Sequence, residues 1–151
     1  MNERPHAALG EILGTLHAVE TRLEAALEPL GLSLAKFKAL HTLVTAGEPL
    51  PLRTLAEHCA CVRSNITQLM DRLEAEGLVK RVDDPDDRRS VYAEITDQGR
   101  ERLKTLWQGA TSLQAGLTGG LSESELVQLR HTCLRLIQTM SAEEAKSHAP
   151  S

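Results

Sequence analysis

Five polar side chains crowd one stretch of the chain: Arg63, Ser64, Asn65, Thr67 and Gln68, with no acid after Arg63 until Asp71. Their types suit recognition of duplex DNA. An Asn or Gln amide offers a donor and an acceptor that match the edge of adenine. An Arg guanidinium matches guanine or grips phosphate, and hydroxyls reach phosphate oxygens. Further on, Arg88 and Arg89 sit in the polar segment Asp83 to Ser90. An arginine at a hairpin tip enters the narrow minor groove, where negative potential is strongest. The competing reading is a solvated turn in which Asp84, Asp86 and Asp87 neutralise the arginines. Both hold together if the carboxylates, Asp87 among them as wing support, orient an arginine without cancelling its contact.

These groups need elements to hold them. Ile66, Leu69, Met70 and Leu73 recur every three or four residues, which predicts an amphipathic helix over 62–76 ended by Gly77. A short helix over 52–57 precedes it, with 58–62 as the turn. Residues 78–82 and 91–95 alternate as two short strands around the polar loop, a hairpin. Upstream, the apolar positions from Leu9 to Leu30 mark a helix over 8–30, and Ser33 caps a second helix that stops at Gly47. Leu50-Pro51-Leu52 reads as a short extended segment. Downstream, one long helix spans about 97–117, Gly119-Gly120 breaks it, and Ser122 to Glu125 is a capping box that opens the last helix.

A helix-turn-helix followed at once by a two-stranded hairpin is a winged helix. The expected fold is mainly α (α+β): a winged helix-turn-helix lobe over about 33–96, with dimerisation helices over 6–30 and 97–141, all in one domain of residues 1–151. The outer helices carry apolar stripes too long for so small a wing module to cover, so they are expected to pack on a second copy. A two-fold homodimer would present two recognition helices to successive major grooves about 34 Å apart, hence a pseudo-palindromic duplex.

Composition sets bounds on this. The 151 residues hold 17 Lys+Arg and 21 Asp+Glu, net −4. Taken alone, that opposes a nucleic-acid binder, which is usually basic. Residues 51–100 are themselves acidic, with eight Lys+Arg against ten Asp+Glu. Binding is therefore expected to depend on placed contacts and to have a weak non-specific component. Aromatics are 2% of the chain, Phe37, Tyr92 and Trp107, which excludes a single-strand binder built on stacking platforms. No signal peptide or membrane-spanning run is visible, so the expected location is the cytoplasm. No cofactor or metal is expected. A thiol enzyme is disfavoured, since there is no C-x-x-C motif and no nucleotide fingerprint.

The residues also resemble a known family. Asp84-Pro85-Asp86-Asp87-Arg88-Arg89-Ser90, followed by Ile95-Thr96-Asp97-Gln98-Gly99, looks like the wing signature of MarR-type transcriptional regulators, D-P-x-D-R-R-S and then L-T-x-x-G. Leu69 to Arg81 resembles the end of their recognition helix, Leu55-Ala56-Glu57 their L-A-E, and Gly119 to Leu126 their G-L-S-E-E-E-L. The resemblance implies a homodimeric repressor released by a small ligand, a phenolic or aromatic acid, or by oxidation. It implies that Arg89 enters the minor groove, that Asp71 buttresses Arg89 in a semi-exposed ion pair, and that Arg81 is a basic residue near the wing base. It also implies an effector pocket between the dimer helices and the DNA-binding lobe, where His17 and His41 are candidates. Three positions depart from the pattern: Ala60 for a turn glycine, Val62 for a Ser cap, and Pro51 for a Ser or Thr.

Cys59 and Cys61 stand where the family holds Leu and Val. The favoured reading is that they are small buried hydrophobes. The alternative is a redox-sensing repressor whose thiol pKa is lowered by Arg63 and a helix N-terminus. A metal site ranks last, because the spacing is poor for a closed tetrahedron.

Overall fold

The structure is a computed structural model that describes residues 4–59, 63–109 and 111–147. The chain divides into two units, Met1–Leu113 and Gln114–Ser151. In the first, helix α1 runs over Arg4–Leu27 and is followed by a 3-10 turn, Glu28–Leu30. Pro29 supplies the fixed φ that such a turn needs at its start but no amide for a continuing α-helix. The long first helix expected to residue 30 therefore ends three residues early. Helix α2 spans Leu34–Ala46, and the Ser33 side chain accepts a hydrogen bond from the Lys36 amide. That bond satisfies one of the four amides that every helix start leaves open.

Leu50–Pro51 is a short strand β1, and helix α3 follows over Leu52–His58. Pro51 immediately precedes this helix, and the chain there is extended enough to pair with a neighbour. The recognition-helix candidate is α4, Arg63–Ala75. The turn between α3 and α4, with Ala60, Cys61 and Val62, lies outside the described residues. Strands β2, Val79–Asp83, and β3, Val91–Ile95, form the expected hairpin. The sheet has the antiparallel order β1-β3-β2, with Leu50 opposite Ala93 and Arg81 opposite Ala93 on the other side. One sheet thus joins the turn before α3 to the wing.

The core beneath these elements is apolar throughout. Leu40, Leu43, Leu55, Met70, Leu73 and Leu103 are almost fully buried, and no polar or charged residue is buried among the described residues. Each such side chain contributes about 1.5–3 kcal/mol by leaving water. The inner faces of α2, α3 and α4 meet here, joined by Leu103 and Leu106 of α5, Asp97–Gly109.

The single long helix expected over 97–117 is described as two, α5 and α6, the latter Thr111–Thr118; Ala110 lies outside the described residues. In the second unit, α7 covers Glu123–Ser147. Its capping box is complete: the Glu125 amide donates to Ser122 Oγ at 3.3 Å, and the Ser122 amide donates back to Glu125 Oε2 at 2.7 Å. These bonds hold the Glu125 carboxyl below its ordinary pKa, led by the Ser122 backbone bond.

Candidate nucleic-acid interface

The two faces of α4 are chemically opposite. Ile66, Leu69, Met70 and Leu73 are buried, while Asn65, Thr67 and Gln68 are exposed on the other side. The side chains of Arg63 and Ser64 lie outside the described residues. Three polar groups aimed at solvent from a helix anchored by its apolar face can enter a groove without disturbing the core.

The C-terminal half of α4 is fastened to the wing by Arg81. Its guanidinium donates to Asp71 Oδ1 at 2.6 Å and to Glu74 Oε1 at 2.9 Å, and its backbone amide donates to Glu74 Oε2 at 3.0 Å. Asp71 above all, then Glu74, favours the charged guanidinium and raises its pKa, against partial desolvation. Asp71 therefore buttresses Arg81. Among the described residues there is no ion pair between Asp71 and the wing arginine Arg89, contrary to the expectation from the family pattern. The reason is reach: Arg81 lies on the strand that leaves α4, whereas Arg89 lies beyond the far end of the hairpin. Arg81→Ala is expected to lower the unfolding free energy by about 1–2 kcal/mol, since charge-assisted bonds at a half-exposed site are worth little more. In urea melts, Arg81→Ala combined with Asp71→Ala should fall about 0.5–1 kcal/mol short of additivity. Full additivity would show that the clamp carries no coupling.

The wing's acids are spent on its own backbone. Asp84 Oδ1 accepts from the Asp86 amide at 2.9 Å, and Asp87 Oδ1 accepts from the Arg89 amide at 2.9 Å. Ser90 Oγ donates to Asp87 Oδ2 at 3.4 Å, and the Asp84 amide donates to the Ser90 carbonyl at 3.2 Å. Asp84 also raises the pKa of the Tyr92 hydroxyl, chiefly through its charge. Asp87 thus shapes the turn rather than gripping a guanidinium. Arg88 and Arg89 are left exposed at its tip.

The base of the wing is locked to α5. Thr96 Oγ1 donates to the Gly77 carbonyl at 2.6 Å and accepts from the Gly99 amide at 3.0 Å. The Thr96 amide donates to the Leu78 carbonyl at 3.1 Å. Gly77 has φ +74°, the left-handed turn that ends α4, and a Cβ there would meet Gln98 Oε1 at 2.9 Å.

Known proteins match this arrangement. A model described as MarR family matches residues 32–91. The transcriptional activatory protein BadR of Rhodopseudomonas palustris is 30% identical over 128 residues, covering 83% of this chain and 71% of that protein. The chain belongs to the MarR family. MarR-family members are transcription regulators and not enzymes. The uncharacterized HTH-type transcriptional regulator YkoM of Bacillus subtilis is 36% identical over 99 residues, and the match covers 66% of this chain and 64% of YkoM, just under two thirds of its length. In fold, the chain is similar to a cysteine-to-serine variant of E. coli MarR complexed with operator DNA. The TM-score is 0.72 at 23% identity, covering 90% of this chain and 98% of that one.

The remaining candidates fall in different parts of this MarR-family chain. His17 is exposed on α1. His41 joins a ring cluster, stacked on Phe37 at 5.8 Å and edge-on to Trp107 at 5.7 Å. Phe37 and Trp107 meet at 5.6 Å. Cys59 is buried in the core at the end of α3, and Cys61 lies outside the described residues. Glu74 escaped sequence reasoning. Its signal was its place three residues after Asp71, on the same helical side, ahead of a turn that returns a basic strand.

Proposed function

We propose that this chain is a homodimeric repressor that binds a pseudo-palindromic duplex operator in a sequence-specific way and leaves it when a small aromatic acid binds. One observation carries the reading: α4 exposes Asn65, Thr67 and Gln68 above an apolar anchor, and a braced turn exposes Arg88 and Arg89 beside it. On this reading α4, with Arg63 and Ser64 at its start, lies in the major groove and the wing in the adjoining minor groove. Asp71 and Asp87 support the wing, and Arg81 acts through the clamp. The winged lobe takes residues 33–96, and residues 6–30 and 97–141 form the dimer, within one domain that works in the cytoplasm. No described helix is long and apolar enough to cross a membrane.

The exposed apolar stripe of α1 supports the dimer. Leu9, Ile12, Leu13 and Leu16 share one face and are each about half exposed, between 47% and 58%. Leu129, Ile137 and Met140 are similarly exposed on α7. A charge at such a face has no partner when buried, which costs several kcal/mol. Ile12→Asp should therefore sediment as a monomer and bind operator at least about tenfold more weakly. A variant that remains dimeric would remove α1 from the interface.

The effector seat we favour is a cleft of about 510 Å³ beside Trp107, with Val44 and Leu103 as apolar walls and Arg100 and Lys104 at the rim. An aromatic ring packs on Trp107 and a carboxylate meets a cation. The test is binding of the full chain to duplex from upstream of its own gene, titrated with phenolic acids, metal ions and peroxide. Release by a phenolic acid supports the reading. Release by peroxide alone would move regulation to Cys59 or Cys61, and no binding to any duplex would overturn it.

A further inference from the structure

A groove of about 690 Å³ runs between α3 and the wing. Its floor is apolar, from Leu52, Ala56, Ile66 and Val91, and its two cations come from opposite sides: Arg53 from α3, and Arg89 from the wing. Thr67 and Ser90 add hydroxyls. Arg53 is 90% exposed, and its ion pair is a long 3.5 Å contact to Glu57 one helical turn on, itself 65% exposed. Such a pair holds the side chain only weakly.

We propose that this groove seats the sugar-phosphate strand lying between the major and minor grooves of bound DNA, with Arg53 as a phosphate contact facing Arg89. The inference rests on the placement of α4 and the wing given above. A duplex with a helix in its major groove and a hairpin in the adjoining minor groove has one strand between them, and that strand crosses whatever surface links the two elements. Here that surface is this groove. The apolar floor suits the C–H faces of deoxyribose, and the paired cations suit the phosphates on either side. Glu57 opposes the strand. It holds Arg53 in the free protein and surrenders it to the phosphate on binding, so its charge weakens the complex.

The groove would also accommodate a small free anion, and the experiment separates the two. Fluorescence anisotropy of the full chain on its operator duplex and on an unrelated duplex, across a salt series, reads affinity and the number of phosphates neutralised together. Each ionic contact contributes about 0.9 to the slope of log K against log salt. Arg53→Gln should weaken both duplexes by about 3–10-fold and reduce that slope by about 0.9, with its unfolding midpoint unchanged. Arg53→Lys should keep the slope, and Glu57→Gln should tighten binding severalfold. If Arg53→Gln leaves the slope unchanged while Arg89→Ala weakens binding, the strand does not cross here and this inference fails alone. If Arg89→Ala is also without effect, or the wild type binds no duplex, the placement of helix and wing fails instead. Stabilisation of the wild type by inorganic phosphate, absent in Arg53→Gln and unaccompanied by any change in DNA binding, would make the groove a small-anion site and overturn the proposal.

Discussion

Replacing Gly99 by alanine is expected to destabilise the fold by about 3 kcal/mol, although Gly99 lies in the first turn of a helix, where alanine normally gains up to about 1 kcal/mol. The sign is decided by what a methyl group would meet. A Cβ at Gly99 falls 2.1 Å from the Leu78 carbonyl oxygen and 2.8 Å from Ile95 Cγ1. The first is backbone, held in place because the same carbonyl accepts the Thr96 amide. Relief requires moving α5 away from the base of the hairpin, which breaks the Thr96 bonds to Gly77 and Gly99 as well. Overpacking therefore outweighs propensity. Gly14, in the middle of α1 with open space around it, is the matching control. Gly14→Ala should be neutral or gain up to about 1 kcal/mol. Urea unfolding followed by circular dichroism compares them, and a Gly99→Ala protein as stable as wild type would show that the junction yields easily.

Arg89→Ala should weaken operator binding by about 10–100-fold, corresponding to about 1–3 kcal/mol for one lost groove contact. Its folding should be untouched, because the side chain is exposed and the structural role of this residue lies in its backbone amide, which donates to Asp87. Alanine keeps that amide. Arg88→Ala should do less, since Arg89 and not Arg88 lines the groove beside α3. Anisotropy on the operator, with a thermal melt as control, measures both variants. Wild-type affinity in Arg89→Ala would take the wing off the DNA.

What the residues disclosed in advance was whatever depends on near neighbours. Ser33 capping α2, Gly77 ending α4, and the reciprocal Ser122–Glu125 bonds all form within a few residues, so their spacing alone reveals them. The buried face of α4 was legible for the same reason, through the three-and-four recurrence of Ile66, Leu69, Met70 and Leu73. The partner of Asp71 was not. Choosing between Arg81 and Arg89 depends on where the first strand of the hairpin passes α4, which no local pattern records. The composition of the wing suggests that its acids neutralise or orient guanidinium groups. They hold amides instead, because an Asp in a tight turn reaches the amide two residues on before it reaches any side chain. Arg53 was overlooked because its meaning comes from Arg89, thirty-six positions away in sequence and across the groove.

The hydroxyl of Thr96, bonded to both Gly77 and Gly99, makes α4, the hairpin and α5 a single lever. On the proposed reading, a force on α5 reaches the DNA-facing surface of α4 and the wing through that joint. That surface would then swing as a whole. In the proposed two-fold pair the readable quantity would be the gap between two such heads, and an operator with fixed half-site spacing would act as a caliper for it. On that reading, release from the operator would need no unfolding and no reshaped recognition face, only two unaltered heads held at the wrong separation.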